Sequence, residues 1–148
     1  WRVYEAPGLR SERAMSVEWF GADILGKVRQ AAMRGVIDGT ESVIEEGNSM
    51  IMDGKKTGRI YRRRGVEHQA SAPGESPASD TGRLVQSAHT EYEPADLSGE
   101  AIWSTDYAEA LEFGTSKMAP RPYARPALAA KKDEITNTIN DEIAGALK

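Results

Sequence analysis

The side chains able to carry chemistry are few, and their spacing is poor for catalysis. His68 and His89 are the two histidines, and cysteine is absent. Without cysteine there is no thiolate nucleophile, disulfide, iron–sulfur cluster or Cys-ligated zinc site. Its absence also suits a protein made in a reducing cytoplasm. Neither histidine stands at ligand spacing from a second metal-binding residue, so both read as ordinary surface residues. Ser87, His89 and Asp80 are the three residue types of a hydrolase triad, but no nucleophile elbow surrounds Ser87. Asp80, His89 and Asp106 are the set a small hydrolase or nuclease would have to gather into one cleft. Gly54–Gly58, with Lys55 and Lys56, has the composition of a phosphate loop without the Gly-x-x-x-x-Gly-Lys-Ser/Thr spacing. No catalytic constellation stands out.

The other chemically loaded stretch is Gly58-Arg59-Ile60-Tyr61-Arg62-Arg63-Arg64. Its plainer reading is a charged edge strand, where charge blocks unwanted pairing. Its functional reading is contact with an acidic neighbour or with DNA phosphates. Tyr61 is the one aromatic in the run, too few to stack single-stranded bases. The net charge is −4 and the isoelectric point about 5.3. A dedicated duplex binder is usually basic, so nucleic acid is not expected as the main partner. Trp19, Phe20, Trp103, Tyr107, Phe113 and Tyr123 read as core or interface anchors, with core the simpler assignment.

Several elements must position these residues. From about Ala22 to Met52, Leu25, Val28, Ala32, Val36, Gly39, Val43, Gly47 and Met50 recur every three or four residues, which predicts a long helix. Glycines on its packed face would let another backbone come close, offsetting a cost of about 1 kcal/mol each against alanine. Gly58–Arg64 reads as a strand and residues 65–81 as a long loop with almost no side chain able to fill a core. Asp80-Thr81 reads as the cap of a short helical turn through Leu84 and Ser87. Ala88–Tyr92 and Glu100–Thr105 read as an antiparallel hairpin, with Ile102 facing the core and Trp103 facing outward. Asp106 is expected to cap a short helix from Tyr107 to Phe113 that Gly114 ends. A last helix opens near Pro126 and carries Leu128, Ile135, Ile139, Ile143 and Leu147. Strands in the middle and helices on both sides predict an α+β domain, a small antiparallel sheet packed against the two long helices.

Met15 opens a more ordinary-looking start than Trp1, so residues 1–14 are read as an arm and 15–148 as a single domain. The arm carries Trp1, Val3 and Tyr4, which suit a resting place on a neighbouring subunit; a poorly ordered tail is the alternative. No apolar run approaches the roughly 20 residues that cross a bilayer, and no h-region marks a signal peptide.

Three stretches, in order and spacing, are together more specific than any one alone. They are Ala70-Ser71-Ala72-Pro73-Gly74-Glu75-Ser76-Pro77-Ala78-Ser79-Asp80-Thr81-Gly82-Arg83-Leu84 with Ser87, then Tyr107-Ala108 with Glu112-Phe113-Gly114-Thr115, then Arg121-Pro122-Tyr123-Ala124-Arg125-Pro126-Ala127-Leu128. The chain resembles the tail-completion, or head–tail joining, family of long-tailed bacteriophages and prophages, from about Val17 onward.

The resemblance implies an α+β subunit of a ring, expected to be six-fold, in the virion neck. It implies no enzyme activity and no cofactor. Neighbouring neck and tail-tube proteins would be its partners, with DNA a passenger in the lumen and no membrane. A terminator or a head-closure stopper ring at the same junction is the nearest alternative. On this basis the subunit and partner contacts are expected at Trp1, Tyr4, Arg62, Arg63, Arg64, His68, Pro73, Gly74, Pro77, Asp80, Trp103, Glu112, Arg121, Tyr123 and Arg125. Pro73, Gly74 and Pro77 would stiffen a loop suited to insertion between subunits. Glu112 would pair with Arg121 or Arg125, a bond contributing about 0–1 kcal/mol if exposed. Tyr123 stands where the family often has Phe, so its hydroxyl should reach water or a partner.

Overall fold

Periodic small residues build the longest element, α1 (Gly21–Asp53). In this computed structural model, residues 20–148 are described in full. Before them, only the backbone of two short strands is described, β1 (Val3–Glu5) and β2 (Met15–Val17). These pair antiparallel, Val3 opposite Val17. Trp1 and Trp19 lie outside the described residues, as does the side chain of Tyr4.

Further along come β3 (Ile60–Arg63), β4 (Val66–Gln69), α2 (Arg83–Gln86), β5 (Ala88–Glu93), β6 (Ser98–Trp103), α3 (Ala108–Phe113) and α4 (Ala124–Ala146). The strands form three separate two-stranded antiparallel ladders, β1–β2, β3–β4 and β5–β6. The α+β class, with a long helix on either side of small antiparallel sheets, is as expected.

The glycine face of α1 explains how α4 and β6 reach it. A Cβ at Gly35 would lie 2.7 Å from Ile139 Cα, and one at Gly39 2.9 Å from Ile135 Cγ2. A Cβ at Gly47 would lie 2.6 Å from Trp103 Cζ2. At Gly35 the two helix backbones meet directly, while at Gly39 and Gly47 the bare α1 backbone receives the Ile135 and Trp103 side chains. Burial on this face begins at Ala31 and runs through Gly35, Gly39, Val43 and Gly47 to Ile51. Leu25, expected on the same face, is instead exposed, as is Ile24. On α4, Ala127 is buried while Leu128 and Leu147 are exposed. The small residue is the one that fits beneath Trp103. Arg34 Nε and Glu142 Oε2, 2.8 Å apart, clamp the other end of the helix pair.

The hairpin β5–β6 lies along α1 with Ala88 opposite Trp103 and Glu91 opposite Glu100. Trp103 points inward, contrary to the outward orientation expected for it, and is 8 % exposed. Gly99 and Ala101 share its face, small because α1 lies close. Ile102 takes the outer face beside His89. The indole N–H of Trp103 donates to Asn48 Oδ1 at 3.0 Å. Its ring meets Tyr123 edge to face, centroids 5.1 Å apart. Val43, Ile51, Leu84, Ala108 and Ala127 complete this cluster.

Residues 65–81 are less irregular than expected. Arg64 and Gly65, at φ +50° and +82°, make the two-residue turn that a tight hairpin needs. Val66–Gln69 then pairs back on β3. His68 therefore sits in a strand, stacked on Tyr61 at 5.6 Å. Among the described residues, no helix is long and apolar enough to cross a membrane.

Candidate functional site

The start of α4 would expose free backbone N–H groups unless something accepted them. Glu112, at the end of α3, does so. Its carboxylate accepts from the backbone nitrogens of Tyr123 at 2.8 Å, Ala124 at 3.0 Å and Arg125 at 3.0 Å. The next residue, Pro126, has no N–H to satisfy. Arg125 Nε adds a 2.9 Å ion pair to Glu112 Oε1, and its guanidinium lies 4.8 Å from the Phe113 ring. Of the two expected partners, Arg125 is the one that pairs. Glu112 itself is only 5 % exposed, so the pair is not the surface bond allowed for above. Burial disfavours its charge, but the backbone N–H groups of Tyr123 and Arg125, the guanidinium and the Ala124 N–H outweigh that cost. Its carboxyl is held below the ordinary value. Tyr123 is 2 % exposed, and burial, with the nearby Glu112 charge and Tyr107, pushes its phenol up to about 12.

The loop between β4 and α2 is tied down within the chain. Pro73 and Gly74 form the centre of a turn closed by Glu75 N–H to the Ala72 carbonyl at 3.1 Å. Gly74 has φ +84°, the value a type II turn requires at its third position. Glu75 accepts from the Thr57 hydroxyl at 2.6 Å, the Thr57 amide at 2.9 Å and the Ala72 amide at 2.8 Å. These bonds hold its carboxyl down at about 2. Ser76 Oγ and Lys56 Nζ both donate to the Met50 carbonyl near the end of α1, at 2.6 and 3.0 Å. Gly74 N–H donates to the Pro120 carbonyl at 3.0 Å. Arg121, expected near Glu112, instead sends two N–H groups to the Ser71 carbonyl at 3.4 Å. Pro77 is buried, while Pro73 and Gly74 remain exposed.

Asp80 does not cap α2. The residue before that helix is Gly82, with no side-chain capping bond. Asp80 instead pairs with Arg63 and lies 3.8 Å from His68 Nε2, joining the loop to the β3–β4 hairpin. Asp106 makes no cap either. Tyr107 precedes α3, and Ala108 N–H is accepted by the Thr105 carbonyl at 3.1 Å. His89 is placed against Ser87 O and Glu91, away from the Asp80 pair. Among the described residues, no three His, Asp or Glu side chains gather as a metal site would need.

Of the expected contact residues, Arg63, His68, Asp80 and Arg121 are taken up by contacts within the chain. Pro77, Trp103, Glu112 and Tyr123 are buried and shape the fold from within. Arg62, Arg64, Pro73, Gly74 and Arg125 are on the surface. Between loop, hairpin and α3 lies an open cleft of about 580 Å³, lined by Ile51, Tyr61, Asp80, Leu84, Tyr107 and Arg121 among others. The tethers at Glu75 and Lys56 were missed in the sequence. Their only signal was a carboxylate in a run otherwise short of charge.

No protein-family model, curated protein or solved structure matches the chain.

Proposed function

We propose that the chain is a structural subunit of the neck of a tailed bacteriophage. Copies form a ring, taken as six-fold, that completes the tail and joins it to the filled head. One observation carries this reading. The three stretches on which the family resemblance rests bond to one another in the folded chain. The loop reaches the linker through Gly74–Pro120 and Ser71–Arg121, and α3 reaches α4 through Glu112. Stretches bonded in this way make one rigid framework, with the exposed Pro73–Gly74 turn left to meet a neighbour. The net negative charge suits a lumen that does not hold DNA during its passage.

The test is genetic and biochemical. A phage lacking this gene should accumulate filled heads and separate tails, and the purified chain should join them in extracts. Mature particles should contain the protein at the junction, and cross-links there would name the adjoining ring. A protein absent from mature particles, monomeric when pure, and dispensable for joining would end this reading.

A further inference from the structure

Two hairpins on this subunit differ in charge, and the acidic one is at odds with itself in a lone copy. On the outer face of β5–β6, Glu91 and Glu100 are direct cross-strand partners, an arrangement that destabilises a ladder. Glu93 extends the same face, and Ile102 lies between these acids and the base of the hairpin. The β3–β4 hairpin is mainly basic, with Glu67 its one acid, directly opposite Arg62. Arg62 and Arg64 are exposed, with Ile60 on the face that Arg62 occupies and 56 % exposed. Among the described residues, neither arginine has an ion-pair partner; Arg63 alone is taken up, by Asp80.

The fold keeps these surfaces apart. Arg29, early in α1, donates to the Ala95 carbonyl at the tip of β5–β6 at 2.7 Å. The basic hairpin instead follows the far end of α1. Gly99, beside the Glu91–Glu100 pair, packs against Val36 and Thr40, and from Thr40 to Asp53 the helix rises roughly 20 Å at 1.5 Å per residue. No ion pair joins the two hairpins among the described residues.

We infer that the basic β3–β4 hairpin of one copy docks on the acidic outer face of β5–β6 of the next copy, in a repeating head-to-tail contact. Arg62 and Arg64 face Glu91, Glu93 and Glu100, and Ile60 covers Ile102. A contact between two different faces of identical subunits is heterologous, the kind that closes rings. An apolar centre with a charged rim is also the usual anatomy of an interface. The inference rests on the reading of the chain as a ring subunit, and it names the surfaces that close the ring.

Reciprocal charge reversal on the full chain tests it, with assembly followed by sedimentation and native mass spectrometry. Arg62→Glu with Arg64→Asp, and separately Glu91→Lys with Glu100→Lys, should each weaken self-association by roughly 100-fold or more. An equal mixture of the two variants should assemble again, because each then offers the charge its neighbour lacks. Thermal melts check folding, and Glu100→Lys alone should melt higher than the parent while assembling worse. A second, milder pair, Arg62→Gln with Arg64→Gln, should weaken association less than reversal does. If the parent assembles and the reversed variants assemble equally well, or the mixture gives no rescue, this interface is wrong while the ring reading stands. If the parent stays monomeric throughout, both fall. If the arginine variants lose duplex DNA retention with assembly unchanged, the hairpin serves phosphates and the inference is overturned.

Discussion

Glu112 and Tyr123 are bonded side chain to backbone, the carboxylate of one lying 2.8 Å from the amide nitrogen of the other. That contact fixes where the last helix begins. It also turns a buried charge into the anchor of the whole C-terminal segment, because the same carboxylate receives Ala124 and Arg125.

Replacing Glu112 should therefore cost far more than replacing its visible ion-pair partner. Glu112→Ala leaves buried N–H groups without an acceptor and should destabilise by about 3 kcal/mol, lowering the melting temperature by roughly 10 °C. Arg125→Ala removes an exposed guanidinium but leaves the three backbone bonds, and should cost about 1 kcal/mol at most. Equal losses in thermal melts would show that the ion pair, and not the cap, holds the junction.

The glycines of α1 and α4 should respond in opposite directions to the same change. Gly47→Ala drives a methyl into the Trp103 ring and should destabilise by roughly 1–3 kcal/mol. Gly145→Ala meets nothing within 4 Å and should stabilise by up to about 1 kcal/mol. Denaturant titration reads both, and a neutral Gly47→Ala would mean the seam is looser than described.

Acid should loosen the loop and the junction together. The Glu75 and Glu112 carboxyls both lie below their ordinary value of 4.5 in the folded chain, Glu75 at about 2. A group depressed on folding contributes its full stability above the unfolded value and loses it as pH falls toward the folded one. Melting temperatures should thus hold level with respect to these two groups above about pH 5 and decline between pH 4.5 and 2. In Glu75→Gln with Glu112→Gln that decline should shrink. An unchanged acid slope in the double variant would exclude these two carboxyls as its source.

Much of the architecture was legible because periodicity is a backbone property. The step of three and four from Ala22, the paired strands around Pro94–Gly99 and the helix near Pro126 all appear where their spacing placed them. Orientation was harder. Trp103 was misread because Ile102 looks like the better core residue, and only the closeness of α1 makes Gly99, Ala101 and Trp103 the inner set. The strand Val66–Gln69 was lost inside a loop because its turn, Arg64-Gly65, uses an arginine at positive φ where asparagine is the usual signal. Glu112 was recognised as a pairing residue but not as a cap, since its acceptor role depends on a helix start eleven residues later. Caps and tethers of that kind join distant segments, and no local pattern announces them.

The seam between α1 and α4 also bears on how a newly made chain comes of age. The glycine face of α1 emerges from the ribosome early, yet Ile135, Ile139 and Ala127, which cover it, are translated some 70 residues or more afterwards. Until they arrive, the nascent chain holds a bare, backbone-lined groove, and such long-range closure is slow relative to helix formation. A chain still on the ribosome is accordingly unfinished at the very surface that stiffens it, and that surface stays open until synthesis has passed α4.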